Sequence, residues 1–146
     1  MLTNKVRISW GTACASALLS LGLALSAQAA GDAISGTITI DPALAKHVAP
    51  TDVLFITARV PGPGGTPGRM VAAKRMDSLK FPLKYTLTPQ DVMMGGPFQG
   101  KVNIVARLKK SGAAGPPEPG DLEGQYAKNP ATVGDQRVDI IISKRY

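Results

Sequence analysis

Apolar and polar side chains alternate along the segment Lys101-Val-Asn-Ile-Val-Ala-Arg-Leu-Lys-Lys110. Its four apolar even-numbered residues fall on one side of an extended backbone, and the odd-numbered residues, three of them cationic, fall on the other. A period of two is the pattern of a β-strand with one buried face. The segment therefore predicts a strand over residues 101–109 whose inner row is Val102, Ile104, Ala106 and Leu108.

A long loop follows this strand and reads Ser111-Gly-Ala-Ala-Gly-Pro-Pro-Glu-Pro-Gly-Asp-Leu-Glu-Gly124. So much glycine and proline cannot continue a hydrogen-bonded ladder, and the segment must cross the surface. Long loops without regular structure are uncommon in compact domains and often carry function. Residues 116–124 are therefore the best candidate for binding, the alternative being a loop that only joins two sheets. Leu122, between two acids, is expected to tuck under the loop as an anchor.

The first 29 residues have the three parts of a secretory signal peptide. Lys5 and Arg7 form a charged start, residues 13–25 an apolar core, and residues 26–30 a small-residue cleavage site. The apolar run is shorter than the roughly 20 residues that a membrane span needs. We therefore expect cleavage after Ala29, export to the periplasm, and one mature domain over residues 30–146. An uncleaved membrane anchor is the alternative.

Composition narrows the classes of partner. The single cysteine, Cys14, lies in the leader, so the mature domain can have neither a disulfide nor a thiolate metal site. The mature chain keeps 15 of the 17 basic residues and all 10 acidic ones, and the basic residues are scattered. With 5% aromatic residues it has little on which nucleic-acid bases could stack. We expect no nucleic-acid binding, a solvated positive surface, and at most weak attraction to an anionic membrane surface or an acidic partner.

Five more strands are predicted from the alternation of apolar residues, at 33–40, 53–60, 69–76, 80–87 and 137–143. Pro82 favours an edge position for the fourth of them. Helical turns are predicted at 43–48, after Asp41-Pro42, and at 89–94, where residues 88–91 read as a capping box. Short strands joined by breaker-rich connections are typical of an all-β sandwich, with a closed barrel as the alternative.

The sequence offers no catalytic constellation. Acid–base or nucleophilic chemistry needs paired groups, whereas the only histidine, His47, lies in a predicted surface turn and the acids sit singly. We expect no enzyme, no resident metal and no cofactor. His47 and the methionines at 70, 76, 93 and 94 would suit Cu(I), although methionine is ordinary core filler. A copper- or small-ligand-binding sandwich is therefore one alternative function, and a structural envelope protein is another.

Four segments carry a resemblance to a known family. They are Ser35-Gly-Thr-Ile-Thr-Ile-Asp-Pro42, Pro50-Thr-Asp-Val-Leu-Phe-Ile-Thr-Ala-Arg59, Val105-Ala-Arg-Leu-Lys-Lys-Ser-Gly112 and Pro119-Gly-Asp-Leu-Glu-Gly124. In this order and spacing they resemble the C-terminal periplasmic domain of the c-type cytochrome biogenesis protein CycH. The chain departs from that family in lacking its membrane helices and tetratricopeptide repeats.

The resemblance implies an Ig-like β-sandwich of about seven strands with one or two short helical turns. It also implies a non-enzymatic periplasmic role as an accessory to c-type cytochrome maturation. The partners would be an apocytochrome c or subunits of the maturation complex that carries out haem ligation. By position, the resemblance places partner binding at the strand end and the loop, on Arg107, Lys109, Ser111, Pro119, Asp121, Leu122 and Glu123.

Overall fold

The computed structural model describes residues 31–146, which form eight strands and three short 3-10 turns. The predicted signal peptide, residues 1–29, lies outside the described residues. The strands are β1 Ile34–Ile40, β2 Val53–Pro61, β3 Pro67–Met76, β4 Leu83–Leu87, β5 Lys101–Lys109, β6 Leu122–Tyr126, β7 Ala131–Thr132 and β8 Ile140–Arg145. The turns are Ala45–His47, Pro63–Gly65 and Pro89–Asp91.

The strands form one sheet in the order β3-β2-β5-β6-β8-β1-β4, and β7 pairs with the start of β5. Neighbouring strands are antiparallel except for β1 and β8, which are parallel. The sheet curls until its two edge strands approach each other, and Lys74 Nζ of β3 donates to the Thr86 carbonyl of β4 at 2.9 Å. The inner faces enclose one hydrophobic core. The prediction of an all-β, sandwich-like fold is confirmed.

The predicted inner rows build this core. The rows of β5 and of the last strand are buried throughout, as are Leu54, Ile56 and Ala58 of β2. Val60, which follows the same alternation in β2, is instead 38% exposed. The β2–β3 ladder shifts register on both sides of Arg59 and β2 then ends, and such irregularities turn side chains out of their row.

Tyr85 of β4 ties that edge strand to the last part of the chain. Its hydroxyl, inside the core, donates to the Val138 carbonyl at 2.7 Å, and burial raises the pKa of Tyr85. The predicted edge position of this strand is confirmed, since β4 ends the sheet order. The strand begins at Leu83 rather than at residue 80.

Strand β6 corrects the predicted loop, which ends at Asp121 instead of Gly124. The inward positions of β6 include Gly124, so the strand lacks the apolar alternation that reveals the others. Glycine is needed there because a Cβ would lie 2.3 Å from the carbonyl oxygen of Ile141 on β8. Close approach of two backbones thus explains why the pattern of side chains failed to show this strand.

The two predicted helical turns exist but are shorter than expected. The capping box of the second turn is confirmed, since Asp91 accepts the Thr88 N–H at 2.8 Å. Asp41 is the predicted cap of the first turn, but its carboxylate accepts the Ala43 N–H at 2.9 Å ahead of a turn whose N-cap is Leu44. Each turn nevertheless lasts three residues, at 45–47 and 89–91. Such brief turns contribute little stability of their own and serve as connections between strands.

Candidate functional site

Lys109 and Asp121 form an almost completely buried ion pair, with Nζ and Oδ2 2.7 Å apart and side chains 2% and 0% exposed. The ammonium group also donates to the Pro116 carbonyl and to the Glu118 carboxylate, both at 2.8 Å. The Asp121 carboxylate accepts the backbone N–H groups of Lys110 at 3.0 Å and of Glu118 at 2.8 Å. Together these contacts tie the Pro-rich loop to the end of β5.

The pKa values of the pair shift in the directions that keep both groups charged. Burial alone would lower the pKa of Lys109, but its hydrogen bonds to Asp121 and Glu118 outweigh burial and raise it. Burial pushes the pKa of Asp121 upwards, whereas Lys109 and two backbone N–H groups hold it below its usual value. Because neither group is close to changing its charge at neutral pH, the pair acts as a structural clamp.

Arg107 holds the loop at a second point. Its Nε donates to Glu123 Oε2 at 2.7 Å, its Nη2 contacts the same oxygen, and its Nη1 donates to the Gly115 carbonyl at 3.2 Å. The Tyr146 hydroxyl donates to the other Glu123 oxygen at 3.0 Å, and Lys144 Nζ lies 4.0 Å from the centre of the Tyr146 ring. The loop therefore has a fixed shape over the outer face of β5.

The seven residues predicted to bind a partner do not form one exposed patch. Lys109, Asp121 and Leu122 are buried and present no surface to a partner. Arg107 and Glu123 are half-buried and bind each other, and the two remaining residues, Ser111 and Pro119, are exposed. Leu122 is the predicted anchor, but it lies in β6 rather than in the loop. A contribution of the three buried residues to binding stays a prediction and would act through the shape of the loop.

The outer face of β3, β2, β5 and β6 carries side chains in rows that cross the strands. A middle row of small or uncharged residues joins Ala73, Thr57, Val105 and Gln125, and Ile141 of β8 continues it. One side of the middle row is flanked by the Arg75 row: Arg75, Phe55, Arg107 and Glu123. The other side is flanked by the Arg59 row: Met70, Arg59 and Asn103.

These rows line a groove of about 1090 Å³, which the loop borders at Gly115, Pro116 and Pro117. Ligand-binding clefts commonly have volumes of several hundred to about 1000 Å³. Met93 and Tyr146, each with a large exposed apolar surface, also line it. The groove is therefore a candidate binding surface beside the loop of residues 111–121, the pinned loop.

Phe55, Arg59 and Arg75 were not predicted as candidate site residues. A signal was present in β2, where Phe55 and Arg59 occupy positions that alternate with the buried Leu54, Ile56 and Ala58. An aromatic residue on the outer face of a strand marks a surface available for contact. What the sequence could not show is that β3 lies beside β2 and adds Arg75 to the same row.

The groups considered for copper binding are distributed between the groove, the core and a surface turn. Within residues 31–146, no three His, Cys, Asp or Glu side chains come together in a group that could hold a metal ion. Met70 and Met93 line the groove, and Met76 packs against the core. His47 is half-buried, its carbonyl accepts a hydrogen bond from Lys110, and burial and nearby cations lower its pKa.

A family model, described as the cytochrome c-type biogenesis protein H Ig-like domain, matches residues 34–143. The chain belongs to this family. The match runs from the start of β1 into β8 and so includes the pinned loop and every row of the groove. It confirms the resemblance drawn from the four sequence segments.

Membership points to a role in cytochrome c biogenesis, and the domains of this family face the periplasm. The comparison with curated proteins finds no match. Among solved structures, the chain is similar to an alternative pilotin from the type II secretion system of Vibrio cholerae. That similarity has a TM-score of 0.44 and 11% sequence identity, and it covers 77% of this chain and 97% of the pilotin chain. Over residues 31–146, the CycH-type domain has no helix long and apolar enough to cross a membrane.

Proposed function

We propose that this CycH-type domain is a non-enzymatic periplasmic binding protein, accessory to c-type cytochrome maturation. It holds an apocytochrome c polypeptide or a subunit of the haem-ligation complex. The observation that supports this role best is the groove beside the pinned loop, in a domain of a cytochrome c biogenesis family. A long groove on a sheet face suits a polypeptide segment better than a small metabolite.

The two faces of the same strands have different roles. Their inner residues are used entirely for the core, while the outer face of β3, β2, β5 and β6 carries the groove. Phe55, Val105 and Met93 give the groove apolar contact points, and the loop supplies the backbone and prolines of residues 115–117. Apolar anchors surrounded by polar groups are the usual composition of a binding surface for protein.

A non-enzymatic role agrees with the chemistry of the groove. Two of its charged groups, Arg107 and Glu123, form an ion pair with each other, and a third, Lys109, forms an ion pair with Asp121. A general base or nucleophile would need a neighbouring group that activates it, and the groove lining contains no histidine, cysteine or serine. The groove is thus equipped for contact.

The test is binding of the mature domain to a purified apocytochrome c, to the same cytochrome with haem attached, and to purified haem-ligation subunits. We expect the domain to bind the haem-free polypeptide or a ligation subunit and to ignore the folded holocytochrome. Binding to none of these proteins in gentle detergent would refute the proposed function.

Met93 and Met94 provide a matched pair of variants. Both are exposed, at 60% and 79%, but only Met93 lines the groove. Met93→Ser should weaken binding about fivefold, since about 1 kcal/mol of apolar contact is lost. Met94→Ser should leave the affinity unchanged. Equal effects of the two substitutions would show that the partner does not use the groove.

A further inference from the structure

The arginines around the groove differ in how strongly they are bound by groups of the domain itself. Arg107 is bound to Glu123 and to the Gly115 carbonyl, so its guanidinium is largely used inside the molecule. Arg59 donates to the Gly68 carbonyl at 3.2 Å, and within residues 31–146 it has no ion pair. Arg75 pairs with Asp77 at 3.0 Å, but both side chains are more than half exposed, and such pairs are weak and exchange easily.

Arg59 and Arg75 stand on opposite sides of the middle row. In β2, the Arg59 row and the Arg75 row are four residues apart along the strand, because Arg75 is paired with Phe55. At about 3.3 Å per residue the two rows are about 13 Å apart. The middle row between them carries no charged side chain that could form an ion pair with either guanidinium. The one carboxylate that lines the groove, Glu123, is already paired with Arg107.

The apolar part of the surface is long. Met93 lies at the β3 edge, where its N–H donates to the Val71 carbonyl at 3.2 Å, and Ile141 lies four strands away on β8. Both are about 60% exposed. Four strand spacings of about 4.8 Å separate β3 from β8, about 19 Å, and Met93 lies one further spacing beyond β3. An occupant that touches both ends and both arginines is larger than a free anion.

We propose that the groove recognises an acidic polypeptide segment. Carboxylates on its two sides bind Arg59 and Arg75, and its apolar side chains lie along the middle row towards Met93 and Ile141. This rests on the proposed function and names the class of polypeptide that the same surface selects. Guanidinium groups bind carboxylates through two parallel hydrogen bonds, so the two arginines fix the register of the segment as well as adding attraction.

The test uses two synthetic 12-residue peptides that differ only in charge. One has Asp and Glu flanking Val and Ala, and the other has Asn and Gln at the same positions. We expect the mature domain to bind the acidic peptide, to lose about threefold in affinity when either arginine is changed alone, and to lose about tenfold in the Arg59→Gln, Arg75→Gln double variant. Backbone amide NMR should show the shifts at Thr57, Ala73, Val105 and Gln125.

Arg137→Gln is the matched control. Arg137 is exposed and lines a smaller cavity beside β1 and β4, so it makes the same change of charge away from the groove. The Arg137→Gln variant should bind the acidic peptide as tightly as the unchanged domain does. Raising the salt concentration should weaken the binding of the acidic peptide and leave that of the neutral peptide unchanged. The proposal would be overturned if the two peptides bound equally, if neither bound, or if Arg137→Gln lost as much affinity as the double variant. It would also be overturned if the groove amides shifted only when vesicles of anionic lipid, and not the acidic peptide, were added.

The two proposals fail in different ways. If the apocytochrome binds but the arginine variants and salt have no effect, the acidic-segment inference falls and the maturation role stands. If the acidic peptide binds in the groove while no maturation protein does, the role falls and the recognition site stands.

Discussion

Removing the buried ammonium of Lys109 should be among the more damaging single changes in the domain. In Lys109→Met the side chain keeps a similar length, but the Asp121 carboxylate, 0% exposed, loses its ion-pair partner. Breaking a buried pair from one side costs about 3–5 kcal/mol. The two backbone N–H groups that remain on Asp121 place the loss near 3 kcal/mol. Domains of this kind unfold with about 5–15 kcal/mol in total, so this is a substantial share.

A double-mutant cycle separates the charge from the packing. Asp121→Asn alone should cost less, since the ammonium keeps the Pro116 carbonyl and Glu118. The double variant leaves neither charge in the interior and should recover stability, with a coupling of at least about 2 kcal/mol. Urea unfolding should be followed by circular dichroism, because the only tryptophan, Trp10, lies outside the residues 30–146 that would be measured. Losses that simply add, or a Lys109→Met loss below about 1 kcal/mol, would refute the buried clamp.

Three other predictions follow from the structure. The pKa of Asp121 is lowered by folding, so the stability that the ionised carboxylate contributes is present above the usual pKa of 3.8 and is lost as the pH falls below it. The urea midpoint should therefore fall less steeply in acid for Asp121→Asn than for the unchanged domain. Tyr85→Phe leaves a buried carbonyl without its donor, and we expect a loss of about 1–3 kcal/mol in thermal or urea unfolding, whereas a fully stable variant would show that the hydrogen bond is dispensable. Gly124→Ala places a Cβ 2.3 Å from a carbonyl oxygen and should cost at least about 2 kcal/mol, while Gly115→Ala, with nothing within 4 Å, serves as the control in the same melting experiment.

The sequence predicted the core well because each core row comes from one strand. The alternation in β5 assigns Ile104 to the interior whichever strands lie beside it, and the structure agrees. The same logic failed for β6, where Gly124 is inward-facing and carries no side chain. Glycine is required at position 124 because the backbone of β8 lies close to it, and the alternation within β6 does not show this.

Lys109 shows why the site was harder to predict than the core. By alternation it belongs to the outer, solvated side of β5, and a lysine there is ordinarily exposed. It is buried because the loop folds back over it and supplies a carbonyl and two carboxylates. Burial of an outward residue depends on the path of a loop that no period in the sequence encodes. The groove is hidden for the same reason, since its rows join residues from separate strands.

The clamp also bears on how the proposed binding surface works. A loop of glycine and proline that was free in solution would have to be ordered when a partner arrives, and that ordering subtracts from the affinity. Here the outward cations of β5 fix the loop through the carbonyls of Gly115 and Pro116 before any partner is present. The cost of ordering the loop is therefore met on folding, before a partner binds. The two arginines not used in this way, Arg59 and Arg75, are left to select what enters the groove.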